Sequence, residues 1–249
     1  MARDFNGTTD RINCASGIDL STLSGYTACM WIYRDAGSAD REYFYSFESS
    51  GSDISVLWFD GSERIGHSLA RATTGQSHTI AAGSIPDTTW THVAFTWDGG
   101  TSQDGMTIYV DGSAVTKVAG VDGSGAVTAT DAHAIGGRTA DDNRNFDGKY
   151  AECAIWGVDL GASQILELAK GKPPENVARG SLISYLPLVR GLEDLATGTS
   201  ATADGTTVYT HPRIYRQSSN ILQFPPVVAA GGSILPQMLQ HNHFSGGSL

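Results

Sequence analysis

The run Asp141-Asp142-Asn143-Arg144-Asn145-Phe146-Asp147-Gly148 puts oxygen-bearing side chains at 141, 143, 145 and 147. Hard oxygens alternating within one loop are what Ca²⁺ coordination asks for. Asp141, Asn143, Asn145 and Asp147 are therefore the candidate metal ligands, with Ca²⁺ the one cofactor they suggest and a solvated acidic turn the plainer reading. Glu152 falls eleven residues after Asp141, but the sixth position is Phe146 where an EF-hand loop needs glycine, and no helix flanks the run. It is not an EF-hand. His241 and His243 stand at i and i+2, so two imidazoles share one face of an extended segment; a metal there would need a third ligand from elsewhere, and a polar chain end is the simpler account.

Other chemistry finds less support. Retaining glycoside hydrolysis needs two carboxyl groups about 5 to 5.5 Å apart, and the strand acids Glu42, Glu48 and Glu152 are single and separated. No Gly-x-Ser-x-Gly elbow singles out a nucleophile. No catalytic residue is assigned, and the chain reads as a non-enzyme. The three cysteines, Cys14, Cys29 and Cys153, are odd in number and widely spaced, which suits buried thiols better than a disulfide framework or a zinc site. His67, His78 and His133 fall among polar residues that read as loops, whereas His92 lies on a strand face opposite Val93 and Phe95. Trp31, Tyr43, Tyr45, Trp58, Phe59 and Trp156 supply core aromatics, with one or two left over as stacking platforms for sugar rings.

Short strands must position these groups. Period-2 alternation over 26–33 gives two unlike faces, Tyr26/Ala28/Met30/Ile32 and Thr27/Cys29/Trp31/Tyr33. Aromatic-rich strands follow over 41–48 and 54–59, then 90–98 and 106–110, then 150–156 with Ala151, Cys153 and Ile155 inward, and finally 182–188. Seven or more such strands imply two stacked sheets. The Asp-Gly pairs at 60, 98, 104, 111, 122, 147 and 204 suit primed hairpin turns. One segment, 163–171, has Ile165, Leu168 and Ala169 at helical spacing and ends at Gly171 and Pro173-Pro174. Residues 198–207 read as a loop or hinge.

Several of these pieces together resemble the laminin-G-like branch of the concanavalin A-type lectin/glucanase sandwiches. They are Phe5-Asn6-Gly7 with Asp10 and Ile12, Tyr26-Thr27-Ala28-Cys29-Met30-Trp31-Ile32, and Trp90-Thr91-His92-Val93-Ala94-Phe95-Thr96-Trp97-Asp98. Ile108-Tyr109-Val110-Asp111-Gly112, Ile135-Gly136-Gly137-Arg138, and Phe146-Asp147-Gly148 leading into Ala151-Glu152-Cys153-Ala154-Ile155-Trp156 continue the order. The resemblance covers about residues 1–205. It implies an all-β, jelly-roll-like antiparallel sandwich used mostly for binding glycans or proteins, some members carrying a rim calcium. The acid frequent in the family at the position of Ala151 is missing.

Composition divides the chain at the same place. Over 249 residues the formal charge is −10, but no acidic residue follows Asp204. Residues 1–204 carry −12, and the remainder holds only Arg213 and Arg216 as full charges. An acidic chain of this kind is no nucleic-acid binder. The hydrophobic share of 40% and charged share of 17% exclude wholesale disorder. No apolar run approaches the roughly 18 residues of a spanning helix, and the first residues lack the apolar stretch of a secretory signal, so no membrane insertion is expected and the chain as given reads as either cytoplasmically made or already processed.

The expected domains are thus a sandwich over 1–205 and an extended apolar arm over 206–249. The arm carries Tyr209, Ile214, Tyr215, Ile221, Leu222, Phe224, Ile234, Leu235, Met238, Leu239 and Phe244. Disordered linkers are seldom so apolar. Such an arm suits packing on its own sandwich or on a neighbouring subunit, with 209–215 and 220–224 able to add to a sheet edge. The resulting expectation is a homo-oligomeric structural and binding protein, displayed on a virion or extracellular surface, held to other protein subunits by the arm and engaging cell-surface glycans. A soluble Ca²⁺-dependent lectin and a divergent glycan hydrolase are the alternatives.

Overall fold

The computed structural model describes residues 2–14, 17–35, 42–60, 64–139, 144–189 and 191–210, all within one compact unit. In chain order the strands are β1 (Ala2–Asn6), β2 (Arg11–Cys14), β3 (Tyr26–Arg34), β4 (Glu42–Ser49), β5 (Ser52–Phe59), β6 (Ile65–Leu69), β7 (Gln76–Ile80) and β8 (Thr91–Trp97). Then follow β9 (Met106–Val110), β10 (Ser113–Ala114), β11 (Lys117–Val121), β12 (Ala132–Ile135), β13 (Asp147–Trp156), β14 (Leu182–Leu186), β15 (Thr202–Asp204) and β16 (Thr207–Tyr209). One α-helix, α1 (Ala162–Ala169), follows β13. Among the described residues these strands form two eight-stranded antiparallel sheets. The first has the order β10-β9-β8-β3-β13-β1-β16, with β14 also paired to β13, and the second has the order β11-β7-β6-β5-β4-β12-β2-β15.

The two-faced pattern of β3 explains how the sheets stack. Tyr26, Ala28, Met30 and Ile32 join Leu57, Phe59, Phe44 and Phe47 of the second sheet in the main core. A polar bridge crosses this core: the Tyr26 hydroxyl bonds Ser55 Oγ at 2.8 Å and the His67 Nε2. On the other side of the first sheet, Cys29, Ala94, Tyr109, Ala154 and Trp156 pack under Ile165 and Leu168 of α1, forming a separate apolar cluster. The helical spacing over 163–171 is thus used to cover half of an outer face, and α1 ends with Gly171 at φ 89°. Between β9 and β10, Asp111 (φ 48°) and Gly112 (φ 80°) make the primed turn expected of Asp-Gly. Asp147-Gly148, by contrast, lies inside β13.

Three local expectations are corrected. Ala151 faces outward, opposite Trp31, because the register of β13 against β3 slips between Ala151 and Ala154 with Glu152 at φ 54°. Core-facing positions therefore run Tyr150, Cys153, Ile155 rather than 151, 153, 155. His67, His78 and His133 are buried on β6, β7 and β12 instead of sitting in loops. The Ser, Gly and Thr around them hide a period-2 signal that the packing supplies. Residues Thr202–Asp204, read as hinge, pair with β2 and set Ala203 opposite Ile12. Thr207–Tyr209 then pairs with β1 in the other sheet, so the chain crosses from one sheet edge to the other through Gly205 at the position where sandwich and arm were expected to divide.

Candidate functional site

Helix α1 and the turn after it cover only one end of the outer face of the first sheet. The register places Trp31 and Tyr33 of β3, His92 of β8, Lys149 and Ala151 of β13, Asp4 of β1 and Tyr209 of β16 on that same face. At the end away from α1, which none of the described helices covers, Trp31, Tyr33 and Trp90 are half-buried and Tyr209 is 42% exposed. Tyr33 and Trp90 pack at 5.8 Å with their planes tilted by 59°. Partly exposed rings on a rigid sheet keep an apolar face available while the backbone fixes their spacing.

Lys149 organises the charged side of this patch. Its Nζ lies 3.3 Å from Asp4 Oδ1, bonds Asp35, and stands over the rings of Tyr33 (4.8 Å) and Tyr209 (4.7 Å). Burial works against the ammonium, but the hydrogen bond it donates to Asp35 and the charge of Asp4 outweigh it and hold the pKa above the ordinary lysine value. Asp147, half-buried beside this group, is raised by burial first and by Asp35 second.

Beside α1, a closed notch too tight for a water molecule is lined by Cys29, Trp31, His92, Glu152, Leu168, Lys172 and Pro174. His92 packs edge-on against Trp31, with ring centroids 5.4 Å apart. Its backbone is locked to the turn after β9: the His92 N–H donates to Asp111 Oδ1 (2.9 Å), and its carbonyl accepts from the Asp111 N–H (2.8 Å). The imidazole is 1% exposed, and among the described residues neither ring nitrogen has a hydrogen-bond partner. Burial lowers its pKa to about 3, so the ring is neutral at physiological pH. Glu152, on the bulge, accepts a hydrogen bond from the Tyr185 hydroxyl. Burial, and then the Glu152 charge, push the neighbouring Cys29 thiol up, so it is no thiolate nucleophile.

Of the residues proposed from sequence as metal ligands, Asp141 and Asn143 lie outside the described residues. Asn145 is buried and its amide donates to the Thr8 carbonyl, and Asp147 stands beside Lys149 rather than in a ring of oxygens. The described pair alone does not form a cation cage. Of the arm residues, Tyr209 is on β16; Ile214, Tyr215, Ile221, Leu222, Phe224, Ile234, Leu235, Met238, Leu239 and Phe244 lie outside the described residues, as do His241 and His243. Tyr43, Tyr45, Trp58, Phe59 and Trp156 are buried, which leaves Trp31 as the platform foreseen. Tyr33, Trp90 and Tyr209 were missed as its companions. The signal was present in the polar set of β3, where Tyr33 follows Trp31 by two.

The antiparallel sandwich agrees with comparison to known proteins. Residues 6–166 match the Laminin_G_3 model of the concanavalin A-like lectin/glucanases superfamily, and the chain belongs to this family. Among solved structures, a Bacteroides ovatus protein provisionally described as carbohydrate-binding is 20% identical, with a TM-score of 0.61 over 84% of this chain and 59% of its own length. The chain thus spans under two thirds of that protein. A heptameric SAP-like pentraxin from Limulus polyphemus is 19% identical, with a TM-score of 0.57 over 83% of this chain and 93% of the pentraxin. The receptor binding domain of a botulinum neurotoxin C/D mosaic serotype aligns at 13% identity and a TM-score of 0.51, covering 68% of this chain and 42% of that one. These similarities show the fold. No curated protein matches in sequence.

Proposed function

We propose that the protein is a non-enzymatic glycan-binding module, carried on the surface of a larger assembly by its C-terminal arm, a virion decoration or tail-associated protein being the assembly the arm fits best. The observation that carries the binding half is the row of half-buried aromatics, Trp31, Tyr33 and Trp90, on an otherwise polar open sheet face. Aromatic platforms beside hydrogen-bonding groups suit sugar rings, which have apolar C–H faces and hydroxyl edges. Carbohydrate binding provisionally ascribed to the Bacteroides ovatus protein supports this reading by analogy. The strand acids support the absence of catalysis: Glu48 is in the second sheet, bonded by Ser46 and Thr139, while Glu152 is in the first, bonded by Tyr185. The assembly half is supported by the acid-free, apolar sequence after Asp204, and homo-oligomers held by such arms follow the same logic.

A glycan array tests the binding half. Retention of oligosaccharides without turnover is expected, and hydrolysis abolished by changing one carboxylate would restore the glycan hydrolase reading. A chain ended after Thr210, which keeps β16, should stay folded but no longer join its oligomer or particle; unchanged assembly refutes the anchor. The Ca²⁺-dependent lectin is the second reading, favoured by the crowding of Asp35 and Asp4 about Asp147. Chelation that abolishes glycan binding, together with loss on Asp141→Ala or Asp147→Ala, would establish it; binding indifferent to chelation removes it.

A further inference from the structure

At the end away from α1, the outer face of the first sheet is a grid whose rows differ in chemistry. Lys149 of β13 stands opposite Tyr33 of β3 and Asp4 of β1, and Trp90 packs beside Tyr33. One step further along the strands, the Asp35 N–H donates to the Asp147 carbonyl at 3.2 Å, which sets two more carboxylates next to that row. Neighbouring strands lie about 4.8 Å apart, and residues two apart on one strand about 6.6 Å. A sugar ring resting on Tyr33 and Trp90 therefore carries its substituents toward Asp35 and Asp147.

Three carboxylates meet one ammonium here. Lys149 is 5% exposed, its Nζ taken up by Asp4, Asp35 and the rings of Tyr33 and Tyr209, whereas the side chains of Asp4 and Asp35 stay 34% and 38% exposed. The other cation close by, Arg34, is buried and paired with Asp87 at 2.9 Å. What faces outward is thus uncompensated negative charge beside aromatic rings. The crowding is felt inside the group: the charges of Asp35 and Asp4 add to burial in raising the pKa of Asp147. Lys149 shows what such a setting favours, since an alkylammonium is already held there by two carboxylates and two rings, and ammonium groups are drawn to aromatic faces. A metal ion is a poorer match, because among the described residues no three carboxyl, imidazole or thiol groups converge to hold one.

We propose that this face binds glycans whose sugars carry free amines, oligomers of the glucosamine type, with the rings on Tyr33 and Trp90 and the protonated amines on Asp35, Asp147 and Asp4. The proposal rests on the glycan-binding reading and adds to it a charge class and the groups that read it. The same carboxylates turn acidic sugars away. One close opposite charge in water shifts an equilibrium about five-fold, so two partly screened contacts give about ten-fold, and salt erodes the gain.

The test uses the full chain at about pH 6, where the sugar amine is protonated and carboxylates are ionised. The probes are the glucosamine tetramer, its N-acetylated form, tetragalacturonate and tetralysine. Calorimetric titration should show the amine tetramer binding about ten-fold more tightly than the acetylated one in about 0.05 M NaCl, and about two-fold in about 0.5 M, with tetragalacturonate weakest. In Asp147→Asn the preference should fall to about three-fold while the acetylated tetramer binds as before; in Trp90→Ala both tetramers should weaken about ten-fold. Should either variant not fold, the salt dependence of the wild type decides. Equal binding of the amine and acetylated tetramers, a preference unmoved by salt and by Asp147→Asn, or tetralysine binding as tightly as the amine tetramer would overturn the amine-sugar proposal while leaving glycan binding in place. If no glycan of any kind is retained, both readings fail.

Discussion

His67 and His92 illustrate how burial, rather than residue type, sets chemical behaviour. One lies in the core between the sheets, bonded to Tyr26, and the other on the outer face beside Trp31. Burial lowers both to about 3, with the charge of His78 a second cause for His67. The folded state therefore binds their protons less readily than the unfolded chain, whose imidazoles titrate near 6.5. Their contribution to stability is whole above that pH and erodes as the pH falls toward 3, by about 1.4 kcal/mol per histidine at pH 5.5. Urea denaturation at pH 7.5 and 5.5 should show this loss, and His92→Leu should remove one histidine's share. Equal slopes for wild type and variant would mean that His92 is not desolvated. None of this was legible in the sequence for His67, His78 and His133, because a histidine flanked by Ser, Gly and Thr looks like loop until a facing sheet buries it. For His92 the alternation with Val93 and Phe95 correctly placed it on the outer face; spacing alone gave the helix over 163–171 but not that it would pack back over this strand.

The elements that the sequence made readable were those whose two faces differ in chemistry. β3, β8 and α1 announce their buried sides through spacing alone, and the Asp111-Gly112 turn is fixed by its positive φ angles. β13 defeated a simple period because one bulge residue, Glu152, reverses the faces, and that displacement is what leaves Ala151 outside and brings Glu152 to the notch. β6 has a different constraint. Trp58 of β5 lies flat over Gly66 of β6, so that a Cβ at 66 would come within 2.2 Å of the indole, while the indole N–H donates to Ser68 Oγ at 3.1 Å. Gly66→Ala should accordingly destabilise the sandwich by about 1–3 kcal/mol through overpacking, read as a lowered urea midpoint with unchanged slope. No change would show that Trp58 does not rest on that glycine. The glycine itself gave no sign of this, since its need arises from a partner strand.

At the scale of the whole molecule, the charge asymmetry falls where the chain reaches the last strand of the first sheet. An acidic sandwich presents one sheet face that is half covered by α1 and half left open with aromatic rings, and the acid-free sequence after Asp204 enters by closing a sheet edge with Tyr209, whose ring meets Lys149. The antiparallel sandwich was foreseeable from strand count and from the order of family-like segments; the functional face was only partly so, because exposure of Trp31, Tyr33 and Trp90 depends on where α1 stops. The five tryptophans allow the central claim to be tested in one measurement. Their indole N–H resonances can be followed during titration with a glycan retained on the array. The account predicts that Trp31 and Trp90 shift while Trp58, Trp97 and Trp156 stay in place. Shifts centred on Trp58, on the opposite sheet, with Trp31 and Trp90 unmoved, would contradict it.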